Sequence, residues 1–584
     1  MTAVTAAVTL AGVGASPGTT ARADVAENAG VDAANAGLWL LQCDARSPGS
    51  RPSQFVDVGG TLFFTVDDGV HGEELWKSDG TRSGTVLVRD IYPAEDPYGN
   101  YGPSGLVDVG GTLFFAVDDG VHGEELWKSD GTRSGTVLVK DISAGNDYGP
   151  AGLVDVGGTL FFAAEADSGE AKLWKSDGTR SGTVLVKDVS PRSSGDDYGY
   201  AELVDVGGTL FFTADDGTHG LELWKSDGTE AGTTMVKDIL PTDDYYSGPS
   251  GLLDVGGTLF FTADDGIHGS ELWKSDGTEA GTVLVKDVKP GDYYSNAENF
   301  ADVGGTLFFS ARDGVHGQEL WTSDGTEAGT MLVKDIHPAA SRSSSPYSLT
   351  DVGGTLFFTN DDGTHGHELW RSDGTEAGTV LVEDIRPGED RDGPYGLVDV
   401  DGTLFFTARD GTHGRELWRS DGTGAGTALV EDLRAGGRGS LPDYLTDVGG
   451  TLFFSAVDGV RGEELWKSDG TGAGTVLVKD INAGGGFTVA SEGRADTARG
   501  TMKVKVRVAG DGRLVARPVA GSLLRTSVVD VASAGTTTIV LRPTRAGMRI
   551  LRENGRLRVR ARFTFTPCNG AGSSVVHRYT LRLE

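Results

Sequence analysis

Leu203–Ile239, with the sequence LVDVGGTLFFTADDGTHGLELWKSDGTEAGTTMVKDI, is the plainest of nine copies of the stretch that decides the fold. Each copy holds one tryptophan, and successive tryptophans are separated by 47 to 51 residues. A fixed period of this size is typical of stacked supersecondary units that cannot bury their apolar faces alone. We expect the nine tryptophans to pack between neighbouring units: Trp76, Trp127, Trp174, Trp224, Trp273, Trp321, Trp370, Trp418 and Trp466.

The repeat predicts four strands, which are Leu203–Val206, Thr209–Ala214, Leu221–Ser226 and Thr233–Ile239. Gly207-Gly208 and Asp227–Gly232 suit the tight turns between antiparallel strands. Leu210, Phe211 and Phe212 follow one another in the second strand, and because successive side chains on a strand point to opposite faces, both faces need cover. The chain is therefore predicted to be all-β, with a β-propeller of about nine four-stranded blades over residues 38–481. A β-solenoid is the alternative.

Composition changes divide the rest of the chain. Residues 1–23 contain the apolar run Val4–Gly14 and then Ala21-Arg22-Ala23, which predicts a signal peptide. Residues 24–37 are predicted to be disordered, and Leu38–Asp44 is a candidate extra strand that closes the propeller. Residues 482–486 are a glycine-rich linker, and 487–584 alternate apolar with basic residues, which predicts a small β-sandwich with one solvated face per sheet.

Charge is divided unevenly along the chain. From Phe487 onward 18 basic residues stand against 6 acidic ones, whereas the preceding part has 33 against 79. An acidic array of this kind is a poor partner for nucleic-acid phosphates. The basic tail is interpreted as solvated strand faces, although it could attract an acidic polymer or the array itself. Cys43 and Cys568 are too few for a disulfide framework and are expected to be free, with one bridge between them as the alternative.

The string Glu-Leu-Trp-x-Ser-Asp-Gly-Thr, followed by Gly-Thr-x-x-Val-x-Asp, resembles the repeat of the ELWxxDGT family of exported bacterial proteins over about Phe55–Ile481. This resemblance implies a propeller-like fold, and it implies no particular reaction. Residues 559–567, Val-Arg-Ala-Arg-Phe-Thr-Phe-Thr-Pro, together with the closing Tyr-Thr-Leu-Arg-Leu, are similar to immunoglobulin-like accessory domains of secreted actinobacterial proteins. That second resemblance implies an accessory role for residues 487–584.

Ligand binding is predicted at one end of the sheets. In a four-stranded meander the loop Asp215–Gly220 and the connection Leu240–Gly251 leave the sheet on the same side. The connections vary between copies, and loops on a rigid scaffold are where binding usually lies. Plain surface loops are the alternative. The candidate ligand-binding residues are Tyr98, Tyr101, Tyr148, Tyr198, Tyr245, Tyr246, Tyr293, Tyr294, His219, His268, His316 and His365.

The Asp-Asp-Gly-x-His-Gly loops raise the question of a metal. Acidic pairs beside glycine suggest Ca²⁺, for which the candidate ligands are Asp215, Asp216, Asp264 and Asp265. Turn formation by Asp-Gly is the favoured interpretation, with a hydrogen-bonding role for each histidine. The third repeat lacks this set, with Glu165-Ala166-Asp167-Ser168-Gly169 in the loop and Lys172 in place of Glu, so it tests whether folding requires the set.

Catalysis is not favoured by this pattern, because near-identical repeats supply no unique constellation of acid, base and nucleophile. We therefore expect no catalytic residue and no cofactor apart from the possible Ca²⁺. The predicted function is a secreted or surface-associated monomeric scaffold, without a membrane span, that binds an extracellular glycan or protein. A secreted hydrolase or lyase with its site in the variable connections is one alternative, and a purely structural extracellular protein is another.

Overall fold

The computed structural model describes residues 49–92, 102–142, 149–165, 170–191, 202–241, 248–291, 293–338, 343–388, 392–482, 487–490, 493–508, 512–519, 523–531, 535–567 and 573–583. The proposed signal peptide, the 24–37 segment, the candidate strand Leu38–Asp44 and both cysteines lie outside these residues. Within them no helix is long and apolar enough to cross a bilayer.

Each repeat forms one antiparallel sheet whose strands follow chain order from one edge to the other. The strands of the first three sheets are β1–β4 (Ser53–Val58, Thr61–Asp67, Glu73–Ser78, Val86–Arg89), β5–β8 (Ser104–Val109, Thr112–Asp118, Glu124–Ser129, Val137–Lys140) and β9–β12 (Ala151–Val156, Thr159–Glu165, Ala171–Ser176, Val184–Lys187).

The fourth sheet has an additional short strand, β13, which pairs with β15 beside β14. The fourth to sixth sheets are β13–β17 (Ser190–Pro191, Leu203–Val206, Thr209–Asp215, Leu221–Ser226, Thr234–Lys237), β18–β21 (Ser250–Val255, Thr258–Asp264, Ser270–Ser275, Val283–Lys286) and β22–β25 (Glu298–Val303, Thr306–Ala311, Glu319–Ser323, Met331–Lys334). The last three are β26–β29 (Tyr347–Val352, Thr355–Asp361, His367–Ser372, Val380–Glu383), β30–β33 (Tyr395–Val400, Thr403–Arg409, Arg415–Ser420, Ala428–Glu431) and β34–β37 (Asp443–Val448, Thr451–Val457, Glu463–Ser468, Val476–Lys479).

The predicted strands of the fourth repeat agree with these bounds to within two residues at each end. Both faces of each sheet are covered, as the Leu-Phe-Phe run requires: Phe211 faces the fifth sheet and Phe212 faces the third. Both phenyl rings are buried, with 3% and 0% of their surface exposed. The prediction of an all-β fold built from repeated four-stranded sheets is confirmed, and the array is propeller-like.

The first sheet packs on the ninth in the same way as consecutive sheets pack on each other. Leu62, Phe64 and Trp76 share one apolar cluster with Val448 and Phe453. The chain is not continuous across this junction, so hydrogen bonds take over from the covalent connection. Ser50 donates its N–H to the Glu463 carbonyl (2.8 Å) and its hydroxyl to Glu464 Oε2 (2.7 Å), and Asn482 Nδ2 donates to the Gly49 carbonyl (3.1 Å).

The C-terminal part forms two four-stranded sheets around one apolar cluster. The strands are β38 (Phe487–Val489), β39 (Arg494–Asp496), β40 (Thr501–Val508), β41 (Gly512–Pro518), β42 (Ser527–Val531), β43 (Gly535–Leu541), β44 (Arg556–Pro567) and β45 (Ser573–Arg582). The sequence interpretation missed helix α1, Arg545–Asn554. It begins after Thr544, whose Oγ1 accepts the Gly547 N–H, ends at Gly555 in the left-handed conformation, and buries Leu551 in the cluster.

We expect Gly49→Ala to weaken the junction between the first and ninth sheets. Gly49 has φ +71°, and a Cβ there would overlap the backbone of Glu463. Gly59→Ala is the matched control, because Gly59 has φ +59° and open space around it. The control should lose about 1–2 kcal/mol of unfolding free energy from backbone strain alone. Gly49→Ala should lose about 1–3 kcal/mol more in urea unfolding, and equal losses would contradict the role of this contact.

Candidate functional site

The two ends of the sheets differ in how much they vary. The constant end carries the Gly-Gly hairpins and the Ser-Asp-Gly-Thr turns, represented in the fourth sheet by Gly207-Gly208 and Asp227–Gly232. The variable end carries the Asp-Asp-Gly-x-His-Gly loops and the connections to the next sheet. The strand order of each sheet places these two groups of loops on opposite ends, as the sequence predicts.

Turns at the constant end use their polar side chains internally. Asp227 Oδ1 accepts the N–H of Thr229 (2.8 Å) and its hydroxyl (2.7 Å), and these bonds lower the pKa of Asp227. Thr229 Oγ1 in turn accepts the Gly232 N–H (2.9 Å), and Ser226 Oγ lies 2.7 Å from Thr233 Oγ1. The recurrence of this string is explained by turn closure, and nothing in it resembles an activated serine.

The tryptophans lie at the interfaces between sheets, where a cation from the preceding sheet covers them. Lys140 Nζ lies 5.2 Å from the Trp174 ring centroid and donates to the Thr183 carbonyl (2.7 Å). The fourth strands of the seventh and eighth sheets have Glu383 and Glu431 in this position. The turns opposite them have Gly424 and Gly472, where a Cβ would overlap the Glu383 and Glu431 carboxylates. Acid and glycine have therefore been adopted together at two of the interfaces.

The aspartates proposed as calcium ligands close their own loops. Asp215 Oδ1 accepts the Gly217 N–H (2.7 Å), and Asp216 Oδ1 accepts those of Thr218 (2.9 Å) and His219 (3.1 Å). Asp264 and Asp265 make the same bonds in the fifth sheet. In the part of the chain that the structure describes, no three His, Cys, Asp or Glu side chains are placed to hold a metal ion.

Each loop histidine is paired with the aspartate three residues before it. The Nδ1–Oδ2 distance is 2.9 Å for His219 and Asp216, 2.7 Å for His268, 2.8 Å for His316 and 2.7 Å for His365. The bond to the aspartate raises the pKa of His219, and the same holds for its counterparts. These histidines are a third or more exposed, so they can still contact a ligand through Nε2.

A buried glutamate anchors the connections at the variable end. Glu222 Oε2 accepts the Ile239 N–H (2.9 Å) and Oε1 accepts the Leu240 N–H (3.1 Å), and burial raises the pKa of Glu222 to about 7. Glu464 is the most strongly affected: burial raises its pKa to about 8, and Asp480 adds to the rise. Burial therefore holds the pKa of these two carboxyl groups well above the ordinary range of a glutamate.

The third sheet forms without this set. Lys172 replaces the glutamate and pairs with Glu170 (3.0 Å) and Asp188 (2.9 Å). Leu160, Phe161, Phe162, Leu173 and Trp174 are buried there as in the other sheets. The apolar residues are thus sufficient for the sheet, and the His-Asp-Glu set is a feature of the loops at its end.

Within the strands, two positions at the variable end differ from sheet to sheet, and they lie across the second strand from each other. We call them the variable pair: the first residue of the sheet's first strand and the residue that precedes the buried glutamate or its Lys172 counterpart. In the second sheet, for example, the Ser104 hydroxyl donates a hydrogen bond to Glu124 Oε1 (3.1 Å). The residues before the glutamate, taken sheet by sheet, are Glu73, Glu124, Ala171, Leu221, Ser270, Gln318, His367, Arg415 and Glu463.

In the seventh and eighth sheets the variable pair is aromatic and basic. Tyr347 lies 5.6 Å from His367 between ring centroids, and the Arg415 guanidinium lies 4.2 Å from the Tyr395 centroid. Arg415 also forms an ion pair with Asp392. Sequence inspection missed this cluster because its members lie about 20 residues apart and fall on positions that look unremarkable in each single repeat.

In the ninth sheet the variable pair is acidic and stands beside an exposed aromatic ring. Asp443 and Glu463 form the pair, and Tyr444 follows Asp443 with φ +54° and 43% of its surface exposed. Tyr444 stacks on Phe55 of the first sheet (5.8 Å between centroids, 29° between planes). Burial, and then the charges of Asp443, Glu463 and Glu73, raise the pKa of Tyr444.

The backbone of Tyr444 is strained for a bulky residue. First strands carry a bulge here, and the same bulge position has a positive φ in seven other sheets. Glycine fills it at four of them: Gly105, Gly152, Gly251 and Gly396. Leu441, three residues earlier, has φ +52° and is 44% exposed. Strain of this kind at an exposed aromatic residue points to a functional position.

Two of the predicted ligand-binding tyrosines are described, and both are exposed. Tyr293 has 62% and Tyr294 has 50% of its surface in contact with solvent. Lys289 Nζ lies 4.9 Å from the Tyr293 ring centroid, and Arg312 Nε donates to the Tyr294 carbonyl (3.3 Å). The other six predicted tyrosines lie outside the described residues: Tyr98, Tyr101, Tyr148, Tyr198, Tyr245 and Tyr246.

Neither a protein-family model nor a curated protein matches the chain. Among solved structures, a prolyl endopeptidase is similar over 83% of this chain and 59% of its own, at 13% identity and a TM-score of 0.36. The extracellular domain assigned to a hybrid two-component system of B. thetaiotaomicron is similar over 91% and 84%, at 11% identity and a TM-score of 0.30. Prolyl oligopeptidase B from Galerina marginata is similar over 61% and 54%, at 11% identity and 0.33.

This chain thus spans about three fifths of the prolyl endopeptidase.

The raised pKa of Glu464 predicts a pH-dependent stability. The folded protein keeps this proton up to about pH 8, whereas the ordinary pKa is 4.5. The contribution of Glu464 to the unfolding free energy is therefore fully present below pH 4.5 and is lost as pH rises through about 8. Glu464→Gln, which mimics the protonated acid, should flatten this part of the pH profile in urea unfolding, and the exposed-residue control Glu230→Gln should not. A profile unchanged by Glu464→Gln would contradict the assignment.

Proposed function

We propose that the chain is a secreted or surface-associated, non-catalytic scaffold that binds a glycan at the variable end of a closed nine-bladed propeller. Ring closure is supported by the apolar cluster between the first and ninth sheets and by the hydrogen bonds of Gly49 and Ser50 to the ninth sheet. Export is supported by the resemblance to the ELWxxDGT family and by the apolar N-terminal run.

The single observation that carries the binding proposal is Tyr444. Its ring is exposed, its backbone conformation is one that glycine adopts in four other sheets, and it feels the negative charges of Asp443, Glu463 and Glu73. An aromatic face beside hydrogen-bond acceptors suits a saccharide ring, whose apolar face stacks while its hydroxyls donate. Glycine adopts this conformation without strain, so a bulky tyrosine here costs stability.

Repetition of the variable pair in successive sheets favours binding of an extended glycan. Each sheet presents its own variable pair at the same place, so a chain of sugars could meet several weak contacts in succession. Tyr347 with His367 and Tyr395 with Arg415 provide the adjoining positions in the seventh and eighth sheets. Their rings and charged groups differ from sheet to sheet, which favours one oriented ligand over a symmetric one.

Tyr444→Gly should separate binding from folding. Loss of the ring removes the stacking face and should weaken glycan binding about tenfold or more. Relief of backbone strain offsets the lost contact with Phe55, so the unfolding free energy should stay within about 1 kcal/mol of wild type. A glycan array followed by calorimetry on the best-bound oligosaccharide measures the first effect, and urea unfolding measures the second.

Ser348→Gly is the matched control, because Ser348 holds the same bulge position in the seventh sheet with φ +55°. It gains the same backbone freedom without loss of an aromatic ring, and its binding should equal that of wild type. Wild-type protein that binds no glycan would refute the proposal, and a protein ligand or a structural role would then replace it. Equal binding by wild type and Tyr444→Gly would refute the location.

The connection between the fifth and sixth sheets provides a second test of the variable end. We expect the double change Tyr293→Ala and Tyr294→Ala to weaken the same interaction by several fold, because both rings are exposed beside Lys289 and Arg312. The matched control is Thr278→Ala at the constant end. Unchanged binding by the tyrosine variant would exclude this connection from the ligand's path.

A further inference from the structure

One face of a C-terminal sheet consists largely of arginines. In β44 the residues Leu557, Val559, Ala561, Phe563 and Phe565 are buried in the apolar cluster. The alternate residues point to the opposite face and are exposed: Arg556, Arg558, Arg560 and Arg562. Neighbouring strands add Arg578 and Arg582 from β45 and Arg513 and Arg517 from β41. We call these eight residues the arginine face.

Strand register sets like charges directly against each other. Arg560 is opposite Arg578, Arg556 is opposite Arg582, and Arg562 is opposite Arg517. Like charges in this relation destabilise a sheet. A sheet optimised for stability would alternate acid with base at these positions, so the arrangement is explained by something outside the sheet.

Little in the described part of the domain neutralises this charge. Asp530 on β42 accepts from Arg513 Nε at 2.9 Å, and among the described residues it is the carboxylate of this sheet that forms an ion pair with the face. All eight basic residues are arginines, whose planar guanidinium binds carboxylates and sulfates through two parallel hydrogen bonds. A solvated face without a partner would have no need of this uniform choice.

We propose that the arginine face binds an anionic polysaccharide. Arginines on alternate residues of β44 are about 6.7 Å apart along the strand, and adjacent strands are about 4.8 Å apart. A linear chain with a carboxylate or sulfate on successive sugars meets an arginine repeatedly along this row, and the contacts add up. The arginine face lies on strands β41, β44 and β45, outside the repeat sheets, so this binding is independent of the glycan proposed at the variable end.

Chemistry separates this partner from nucleic acid. Single strands are held by basic grooves in which aromatic side chains stack on bases. The described residues of the arginine face include no aromatic ring; between the arginines stand Thr564, Thr580, Val515 and Val576. The face is the exposed surface of a four-stranded sheet, whereas a duplex is read by an element that enters its groove. The arginine face therefore offers charge without base recognition, and an extended polyanion can bind along it.

Two triple variants of the full-length protein test the proposal. Arg558→Gln, Arg560→Gln and Arg562→Gln remove the central row of the arginine face. Arg545→Gln, Arg549→Gln and Arg552→Gln remove three exposed arginines from helix α1 and change the net charge equally. Binding to heparin and to polygalacturonate is measured by calorimetry over a range of salt concentrations.

The face variant should bind both polymers about tenfold or more weakly, with a shallower dependence on salt, while the helix variant stays within about twofold of wild type. The thermal midpoint of the face variant should equal or exceed that of wild type, because the substitutions relieve repulsion between neighbouring arginines. If the face variant does not fold, the double change Arg578→Gln and Arg582→Gln on β45 should weaken binding in the same direction.

Three outcomes would overturn the proposal. Equal losses in both triple variants, or no binding by wild type, would show that net charge or solvation accounts for the arginines. Tighter binding to a single-stranded DNA homopolymer than to either polysaccharide, lost in the face variant, would assign the face to nucleic acid. Salt-sensitive self-association lost in the face variant would assign it to the acidic repeats of a second copy.

Discussion

The structure depends on the burial of apolar side chains on both faces of every repeat sheet. Phe212 faces one neighbouring sheet while Phe211 faces the other, and the tryptophan of the third strand joins each interface. No sheet can satisfy this requirement alone, so each is stable only between two others. The ninth sheet meets it by packing on the first. The loops at the two ends of the sheets bury no apolar face of this kind, and those at the variable end differ from sheet to sheet.

Polar groups at the interfaces have adjusted to each other without disturbing the apolar core. In most sheets a lysine or arginine covers the next tryptophan and donates to a backbone carbonyl. Where the fourth strand instead ends in Glu383 or Glu431, the opposing turn has a glycine that leaves room for the carboxylate. These paired substitutions show that a polar residue at an interface can change when the residue it contacts in the neighbouring sheet changes with it.

The sequence predicts much of the fold because local rules and tertiary packing agree. Gly-Gly and Asp-Gly mark turns, and the Leu-Phe-Phe run demands cover on both faces, so strand bounds in the fourth repeat were placed to within two residues. The first-strand bulge was missed, because glycine at the bulge is replaced by Gln54, Asn299, Ser348 or Tyr444 in other sheets. The variable pair was missed because its two residues lie on the first and third strands, which are separated by the second strand and by about 20 residues of sequence. Helix α1 was missed because Thr544 and Gly555 cap a segment too short for a clear helical period.

The first and ninth sheets pack together without a direct peptide connection, so that connection is dispensable at this junction. Ser50 binds the buried Glu464 much as Ser344 binds Glu319 and Ser440 binds Glu416, where the chain runs on from one sheet to the next. Equivalent contacts therefore form between sheets with and without a direct peptide connection. Relocated termini at another junction, with the present ends tethered, would leave every interface intact. For the same reason, whole repeats are natural units of gain or loss during evolution of such an array.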